Sequence, residues 1–473
     1  MDYKPFVKIF KSIHGFYMYD ANKNEILPIS DESYHYLELL EKESGQLGEM
    51  IPKELEDLKK QGYLAPARVK RIKHPMTDYV EVMLARRMKK ITLQLTQNCN
   101  FRCKYCHYTE NSGGQRLHSQ KRMDIETAKA AILFLRDHSI DMDEVYIGLY
   151  GGEPLLEFPM IKEIVAFAKT ALEGKKIQFM LTTNAALMNE ESIQFIEQEQ
   201  INLLVSLDGP KEINDLNRVK ADGSGTFDTI IEKVKYMHEH HPKLFKKIML
   251  NVVMNPSHDY DKILNLFRKY PFLNKIEVTP TIVDDTGAKE KNVYAEQFVS
   301  KIRYYNFLTY LSILNRFPKE DLPVMLRQRW SRIKEDIDEF HGGTLLPEEF
   351  APGGPCIPGE NRLLVTVEGN FIACERVNEI SDCMIIGSLE DGLYFDKIKD
   401  LLNVAKITEE QCKGCWAFSG CTICGKKADE NGKLSAEIKL QYCSNTREDF
   451  MDKLKERVML IEAASIYDQA SII

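Results

Sequence analysis

No apolar run in this chain approaches the roughly 18 residues that a membrane-spanning helix requires, so no transmembrane anchor is expected. The first residues, Met1-Asp2-Tyr3-Lys4-Pro5-Phe6, do not set a basic stretch before a long apolar one. No signal peptide is therefore expected, and the chain reads as cytoplasmic. Positive charge is not in excess: 63 Lys and Arg face 71 Asp and Glu, for a net charge of -8. That balance argues against a nucleic-acid partner, which needs a basic footprint. Internal repeats and low-complexity tracts are also missing. With 44% hydrophobic and 28% charged residues, the composition excludes a disordered chain, a collagen and a small disulfide scaffold. The length of 473 residues argues for two to four domains.

Cysteine is missing from the whole stretch between Cys106 and Cys356, and the eleven present crowd on either side of it. A cytosolic chain keeps thiols reduced, so such clusters read as metal ligands or catalysts rather than disulfides. Cys99, Cys103 and Cys106 fall within eight residues. Cys356, Cys374, Cys383, Cys412, Cys415, Cys421, Cys424 and Cys443 form a late module.

Four regions are expected. Residues 1–70 form a small unit in which turns at His14-Gly15 and Asn22-Lys23-Asn24 separate three short strands. Ser30 then caps a helix, and a second helix carries Leu55 and Leu58. The pattern is winged-helix-like, and the basic residues 66–88 read as a linker. Residues 88–290 alternate strand and helix six times, with strands expected at 91–95, 145–150, 177–182, 203–207, 248–253 and 276–279. Repeated strand–helix units imply parallel strands with right-handed crossovers. The fold class is α/β, a partial (β/α)6 barrel resembling the TIM type, whose chemistry sits at the C-terminal strand ends. Residues 291–350 are a helical bridge in which Phe298, Ile302, Tyr305 and Leu308 recur at helical spacing. Gly342-Gly343 and Pro352-Gly353-Gly354-Pro355 break it, and the cysteine-rich unit fills 351–473.

Cys99-x3-Cys103-x2-Cys106 lies just past the first barrel strand. Three thiolates on one loop can hold three irons of a 4Fe–4S cluster and leave the fourth free for a cofactor. Tyr105 can pack beside it. Two other chemistries share part of the pattern. Cys103-Lys104-Tyr105-Cys106-His107 matches a c-type haem string, but that leaves Cys99 unexplained. A zinc site would need a fourth ligand such as His107. His238, His240 and His241 read instead as a helix C-terminus, where imidazoles suit the dipole.

Thr96-Gln97-Asn98-Cys99-Asn100-Phe101-Arg102-Cys103-Lys104-Tyr105-Cys106 resembles the cluster loop of radical S-adenosylmethionine (SAM) enzymes. Tyr150-Gly151-Gly152-Glu153-Pro154 closes the second strand. Its glycines let the backbone approach a ligand, and in the resembled family this stretch holds the amino group of the methionine part. Thr183 and Asn184 end the third strand, Ser206 and Asp208 the fourth, and Arg218 follows. Their hydroxyls, amide and guanidinium suit a ribose and a carboxylate. The resemblance implies that Tyr105, Gly151, Gly152, Glu153, Thr183, Asn184, Ser206, Asp208 and Arg218 surround SAM.

The late cysteines resemble the SPASM domain of peptide-modifying radical enzymes. Two residues, Thr422 and Ile423, stand where that domain usually has three. The resemblance implies two auxiliary 4Fe–4S clusters, and so three in all. Cys412, Cys415, Cys421 and Cys443 would hold one; Cys356, Cys374 and Cys424 would hold the other. Cys383 either completes the second set or packs as a small apolar residue before Met384-Ile385-Ile386.

The first 70 residues are similar to the peptide-recognition domain of ribosomal peptide maturases, where a strand edge adds a leader peptide. A stability or dimerisation module is the alternative. Gly369-Asn370-Phe371-Ile372-Ala373-Cys374-Glu375-Arg376-Val377 resembles thioether-forming maturases of the ranthipeptide and sactipeptide kind. The resemblance implies an oxidoreductase supplied by a flavodoxin- or ferredoxin-type reductant. A 5′-deoxyadenosyl radical would take hydrogen from a ribosomal precursor peptide, a cysteine sulfur would attack the carbon, and an auxiliary cluster would take the leftover electron. Asp208 and Glu375 are candidate bases. Other products are a carbon–carbon crosslink, an epimerised residue, a decarboxylated end or formylglycine. A non-catalytic iron–sulfur carrier is the reading from another class.

Overall fold

The computed structural model describes residues 3–42, 50–110, 115–339, 343, 345–353 and 355–466. Residues 1–2 and 467–473 of the expected terminal units, and Gly342 and Gly354 of the expected helix break, lie outside the described residues.

Strands β1 (Val7–Lys11), β2 (Phe16–Asp20) and β3 (Glu25–Ile29) form an antiparallel meander in the order β1-β2-β3. One face packs on the helices Asp31–Lys42 and Lys53–Lys60 through Ile9, Met18, Leu37, Leu40 and Leu55. Phe6, Phe10 and Tyr19 instead join a second core with Phe418, Phe450, Leu454 and Val458. The N-terminal sheet is thus a filling between its own helices and the far end of the chain.

The basic stretch 66–88 is not a linker. It contains β4 (Arg71–Ile72) and the helix Val80–Arg86. Val80, Leu84 and Met88 are fully buried in the main core. Its charged side chains take the outer face, such as Arg86, which is half-exposed and paired with Asp141. That solvated face masked the i, i+4, i+8 apolar spacing beneath it.

Six parallel strands follow: β5 (Lys90–Thr96), β6 (Glu144–Gly151), β7 (Lys176–Thr183), β8 (Asn202–Ser206), β9 (Ile248–Met254) and β10 (Glu277–Ile282). They lie in sequential order, each parallel to the next. Strand residues alternate between faces. Ile91, Leu93 and Leu95 of β5 and Ile147 and Leu149 of β6 are fully buried with Ile132, Leu135, Ile164 and Ala168 of the covering helices. Burying each such Leu or Ile contributes about 1.5–3 kcal/mol. The opposite face of β5 presents Thr92, Gln94 and Thr96, all buried and polar.

The helical bridge is two helices, Glu296–Ile313 and Val324–Glu339. Asn315 takes a positive φ of 53° just past the first, and Pro318 and Pro323 keep the chain from continuing as one. After it, β11 (Glu349–Phe350) pairs with β4. The barrel sheet then resumes. β12 (Leu364–Val365) lies parallel to β5, and β13 (Asn370–Ile372), β14 (Ile385–Ser388) and β15 (Gly392–Leu393) extend it antiparallel. The result is one ten-stranded sheet running from barrel into cysteine-rich unit.

Phe371 of β13 is fully buried against Phe134 of the helix Ile125–His138, ring centres 4.6 Å apart. Phe371→Ala should cost about 3–5 kcal/mol. In anaerobic calorimetry the melting temperature of the whole barrel should fall with it, in one transition. A separate early transition would show that the C-terminal strands melt independently.

Candidate active site

The loop carrying Cys99, Cys103 and Cys106 leaves the carboxyl end of β5 and is tied on three sides by backbone hydrogen bonds. Gln97 N–H donates to Lys121 O at 2.9 Å. Gly152 N–H donates to Thr96 O at 2.8 Å, and Glu153 N–H to Asn98 O at 2.9 Å. Arg102 and Lys104 N–H donate to Val219 O and Asn217 O at 2.7 and 2.9 Å. Arg102 also turns its guanidinium back onto Cys99 O at 2.5 Å.

Gly151 and Gly152 let the end of β6 meet this loop. A Cβ on Gly152 would stand 2.0 Å from Asn98 O, and one on Gly151 2.4 Å from Thr96 O. Gly151 also has φ of 146°. Their role is to let the end of β6 press against the loop, so that Glu153 arrives beside it.

The three thiols lie close enough to raise one another's pKa. Burial dominates, pushing Cys99 up to about 12 and Cys103 up to about 11; it raises Cys106 too. Alone, the loop holds thiols rather than thiolates. An iron–sulfur cluster takes thiolates and supplies the missing positive charge, so the donor set fits one. Among the described residues, no three His, Cys, Asp or Glu side chains are close enough to share one ion. A cube that spreads its ligands suits these thiols better than a single zinc.

The other expected residues gather at neighbouring strand ends. Glu153 is 1% exposed and accepts from Thr183 Oγ1 at 2.7 Å and from the N–H groups of Asn184 and Leu155 at 2.8 and 3.0 Å. Burial outweighs those three donors and pushes its carboxyl up to about 7. Asn184 Nδ2 donates to Asn100 Oδ1 at 2.8 Å and lies 4.0 Å from Cys99 Sγ. Ser206 is buried at the end of β8, in register with Asn251. Asp208 accepts from Tyr105 OH at 2.6 Å and from Val253 N–H at 3.1 Å, and ion-pairs with Arg218 Nε at 2.9 Å. Burial opposes the charge of Arg218, but Asp208 holds it, and its Nη1 reaches Cys103 Sγ at 3.9 Å. With those commitments Asp208 is not free to act as a base. Glu375 is likewise paired, with Arg362.

Several residues that sequence reasoning passed over stand here. Glu379 is buried and accepts from Gln94 Nε2 at 2.8 Å, from Tyr108 OH and from Arg116 Nε at 2.6 Å. This network ties the cluster loop to the C-terminal unit. His118 Nε2 lies 3.9 Å from Cys106 Sγ. Their separation in sequence left no local signal. The histidines near residue 240 are structural: His241 pairs with Glu197, and His238 stacks on Phe272.

In the C-terminal unit Cys412, Cys415, Cys421 and Cys443 line one cavity of about 220 Å³, together with Lys439 and Arg447. Cys374 interacts electrostatically with Cys424. Cys356 lies on an exposed segment ahead of Ile357. Cys383 Sγ lies 3.3 Å from Ser381 Oγ and 3.6 Å from Asp429 Oδ1. Burial pushes its thiol up to about 11.

Known proteins are similar to this chain. The Radical SAM superfamily model matches residues 93–270. The chain is 37% identical over 332 residues to an uncharacterized protein of Methanocaldococcus jannaschii, covering 70% of this chain and 95% of that one. It is 23% identical over 381 residues to a cysteine-type anaerobic sulfatase-maturating enzyme of Clostridium perfringens, covering 76% and 93%. The solved structure of native anSMEcpe with bound AdoMet and Cp18Cys peptide has the same fold, with a TM-score of 0.57 at 18% identity over 80% of this chain and 99% of that one. With its cluster loop, strand-end residues and six-stranded barrel, the chain belongs to the radical SAM superfamily, enzymes that use a 4Fe–4S cluster and S-adenosylmethionine.

Proposed function

We propose that this protein is a maturase that joins a cysteine sulfur to a carbon of an acceptor residue in a ribosomally made, cysteine-rich precursor peptide. The observation that supports it is the four-thiol cavity of Cys412, Cys415, Cys421 and Cys443, built into a unit whose sheet continues that of the barrel. A crosslink that removes two hydrogens needs a place for the second electron, and a further cluster on the same rigid sheet provides one. Cys99, Cys103 and Cys106 hold the radical cluster. The four cavity thiols hold one auxiliary cluster, and Cys356, Cys374 and Cys424 hold the other, for three in all.

When bound, the radical cluster and SAM supply a 5′-deoxyadenosyl radical that takes one hydrogen atom from the peptide. The protein's own residues position and shield. Glu153 takes the ammonium of SAM; Thr183, Asn184 and Ser206 face its polar groups; Tyr105 packs beside the cluster, oriented by Asp208 and Arg218. Burial around Glu153 and Tyr150 keeps water out. In the N-terminal sheet the outer edge of β3 pairs with no further strand among the described residues, which suits addition of a leader peptide as a strand. A flavodoxin- or ferredoxin-type protein would supply electrons. Among the described residues no helix is long and apolar enough to cross a membrane. All eleven cysteines are free, which suits the reducing cytoplasm. The likeness to relatives named sulfatase-maturating enzymes favours formylglycine formation as the second reading.

Anaerobic protein given dithionite and SAM should form 5′-deoxyadenosine, and the Cys99→Ala, Cys103→Ala, Cys106→Ala variant should form none. Iron near one cluster per chain, rather than three, would overturn the auxiliary assignments. With the precursor peptide, a thioether product should lose two hydrogens per bond and one alkylatable cysteine. A product that loses two hydrogens but keeps every thiol would be a carbon–carbon crosslink or a formylglycine made from serine, a cysteine turned into formylglycine would lose its sulfur, and unchanged mass would mean epimerisation. Glu153 must be ionised to pair with an ammonium, and its carboxyl sits at about 7. SAM affinity by calorimetry should therefore fall about tenfold per unit below pH 7 and level off above it. Glu153→Gln should flatten that profile.

A further inference from the structure

Lys439 is a lysine with almost no exposure, at 1%, on the short helix Ala436–Gln441. Its Nζ donates to Thr408 Oγ1 at 2.7 Å and to Cys412 Sγ at 3.4 Å. Among the described residues no carboxylate comes within ion-pair distance of it. A buried ammonium is costly unless a negative charge answers it. The Thr408 hydroxyl carries none.

The same cavity has a second cation. Arg447 hydrogen-bonds to Cys415 and favours its thiolate, while Lys439 does the same for Cys421 by charge. The Cys374–Cys424 site differs. There the charges near Cys374 are Glu375 and Arg362, which pair with each other and largely cancel. The two candidate auxiliary sites are therefore electrostatically unequal.

A 4Fe–4S cube held by four thiolates is an anion, and reduction adds one more negative charge. A fixed cation at a ligand sulfur stabilises the reduced form more than the oxidised one, and net charge and contacts to sulfur set the potential. We propose that Lys439 is a positioning residue for the cluster on Cys412, Cys415, Cys421 and Cys443, raising its potential so that it can hold the electron taken from the substrate. The inference rests on the ligand assignment proposed above. In the step it describes, one electron enters the cluster as the new sulfur–carbon bond forms, and the thiol proton leaves to solvent.

The experiment is an anaerobic redox titration of the reconstituted full chain, followed by electron paramagnetic resonance. Lys439→Met and Lys439→Gln should shift one cluster negative, with the ratio of reduced to oxidised form falling at least tenfold at fixed potential, or about 59 mV for one electron. The other clusters should not move. Lys439→Arg should retain most of the potential, and Arg447→Met should shift the same cluster in the same direction by less. Unchanged potentials in the Met and Gln variants with full iron would overturn the inference. If those variants lose iron, Arg447→Met decides: no shift there overturns it as well. Cys412→Ala with Cys415→Ala separately tests the ligand assignment. It should remove one cluster of iron and the same signal, and full iron in that variant would sink the assignment and the role of Lys439 together.

Discussion

The chemistry of this fold depends on one close approach of backbone to backbone. The end of β6 meets the beginning of the cluster loop with two hydrogen bonds, Gly152 to Thr96 and Glu153 to Asn98, and with no Cβ between them. That contact fixes where Cys99 stands relative to Glu153. It also sets the height of the loop against β7, because Glu153 is answered by Thr183 and the backbone of Asn184. A buried carboxylate is costly unless several donors meet it. Here the donors come from the end of β7 and from the turn that follows β6, so its position is fixed from two elements. The glycines are needed where two main chains touch, and Glu153, Thr183 and Asn184 inherit their placement from that contact.

The second constraint is the continuity of the sheet. Because β12 lies parallel to β5, the cysteine-rich unit is an extension of the barrel rather than an appendage on a tether. Gln94 illustrates the consequence. It sits on β5 and donates to Glu379, which also receives Arg116 and Tyr108 from beyond the cluster loop. Two thiol-bearing regions separated by hundreds of residues thus share one buried network. Relative motion between them would break charge-assisted hydrogen bonds out of water, each of which is worth about 1.5–3 kcal/mol.

Much of this was legible in the sequence. The six barrel strands are long and apolar enough to be read, and each expected range lies within the observed strand or departs from it by one residue. The cluster loop was legible from spacing alone. The sheet extension was not, because β12 is two residues, Leu364–Val365, and no periodicity can be read from two positions. The segment 66–88 misled because charge on its outer face hid Val80, Leu84 and Met88. Glu379 gave no signal because its partners are distant in sequence. Lys439 gave none because a lysine on a short helix reads as a solvated side chain, and only the packing of Thr408 and Cys412 around it shows otherwise. Residues whose role depends on what lies across the fold are the ones that local pattern misses.

The N-terminal meander carries a consequence for synthesis. Its second face, Phe6, Phe10 and Tyr19, is covered by Phe418, Phe450 and Leu454, and its Tyr17 and Ser12 hydrogen-bond to Glu462. The meander therefore keeps an uncovered aromatic surface until the segments bearing Phe418, Phe450 and Leu454, hundreds of residues further along, have been made. Cys412 belongs to that same late core. Covering that surface and completing the core around Cys412 draw on the same late segments, and until these are made the aromatic face of the meander is open to aggregation.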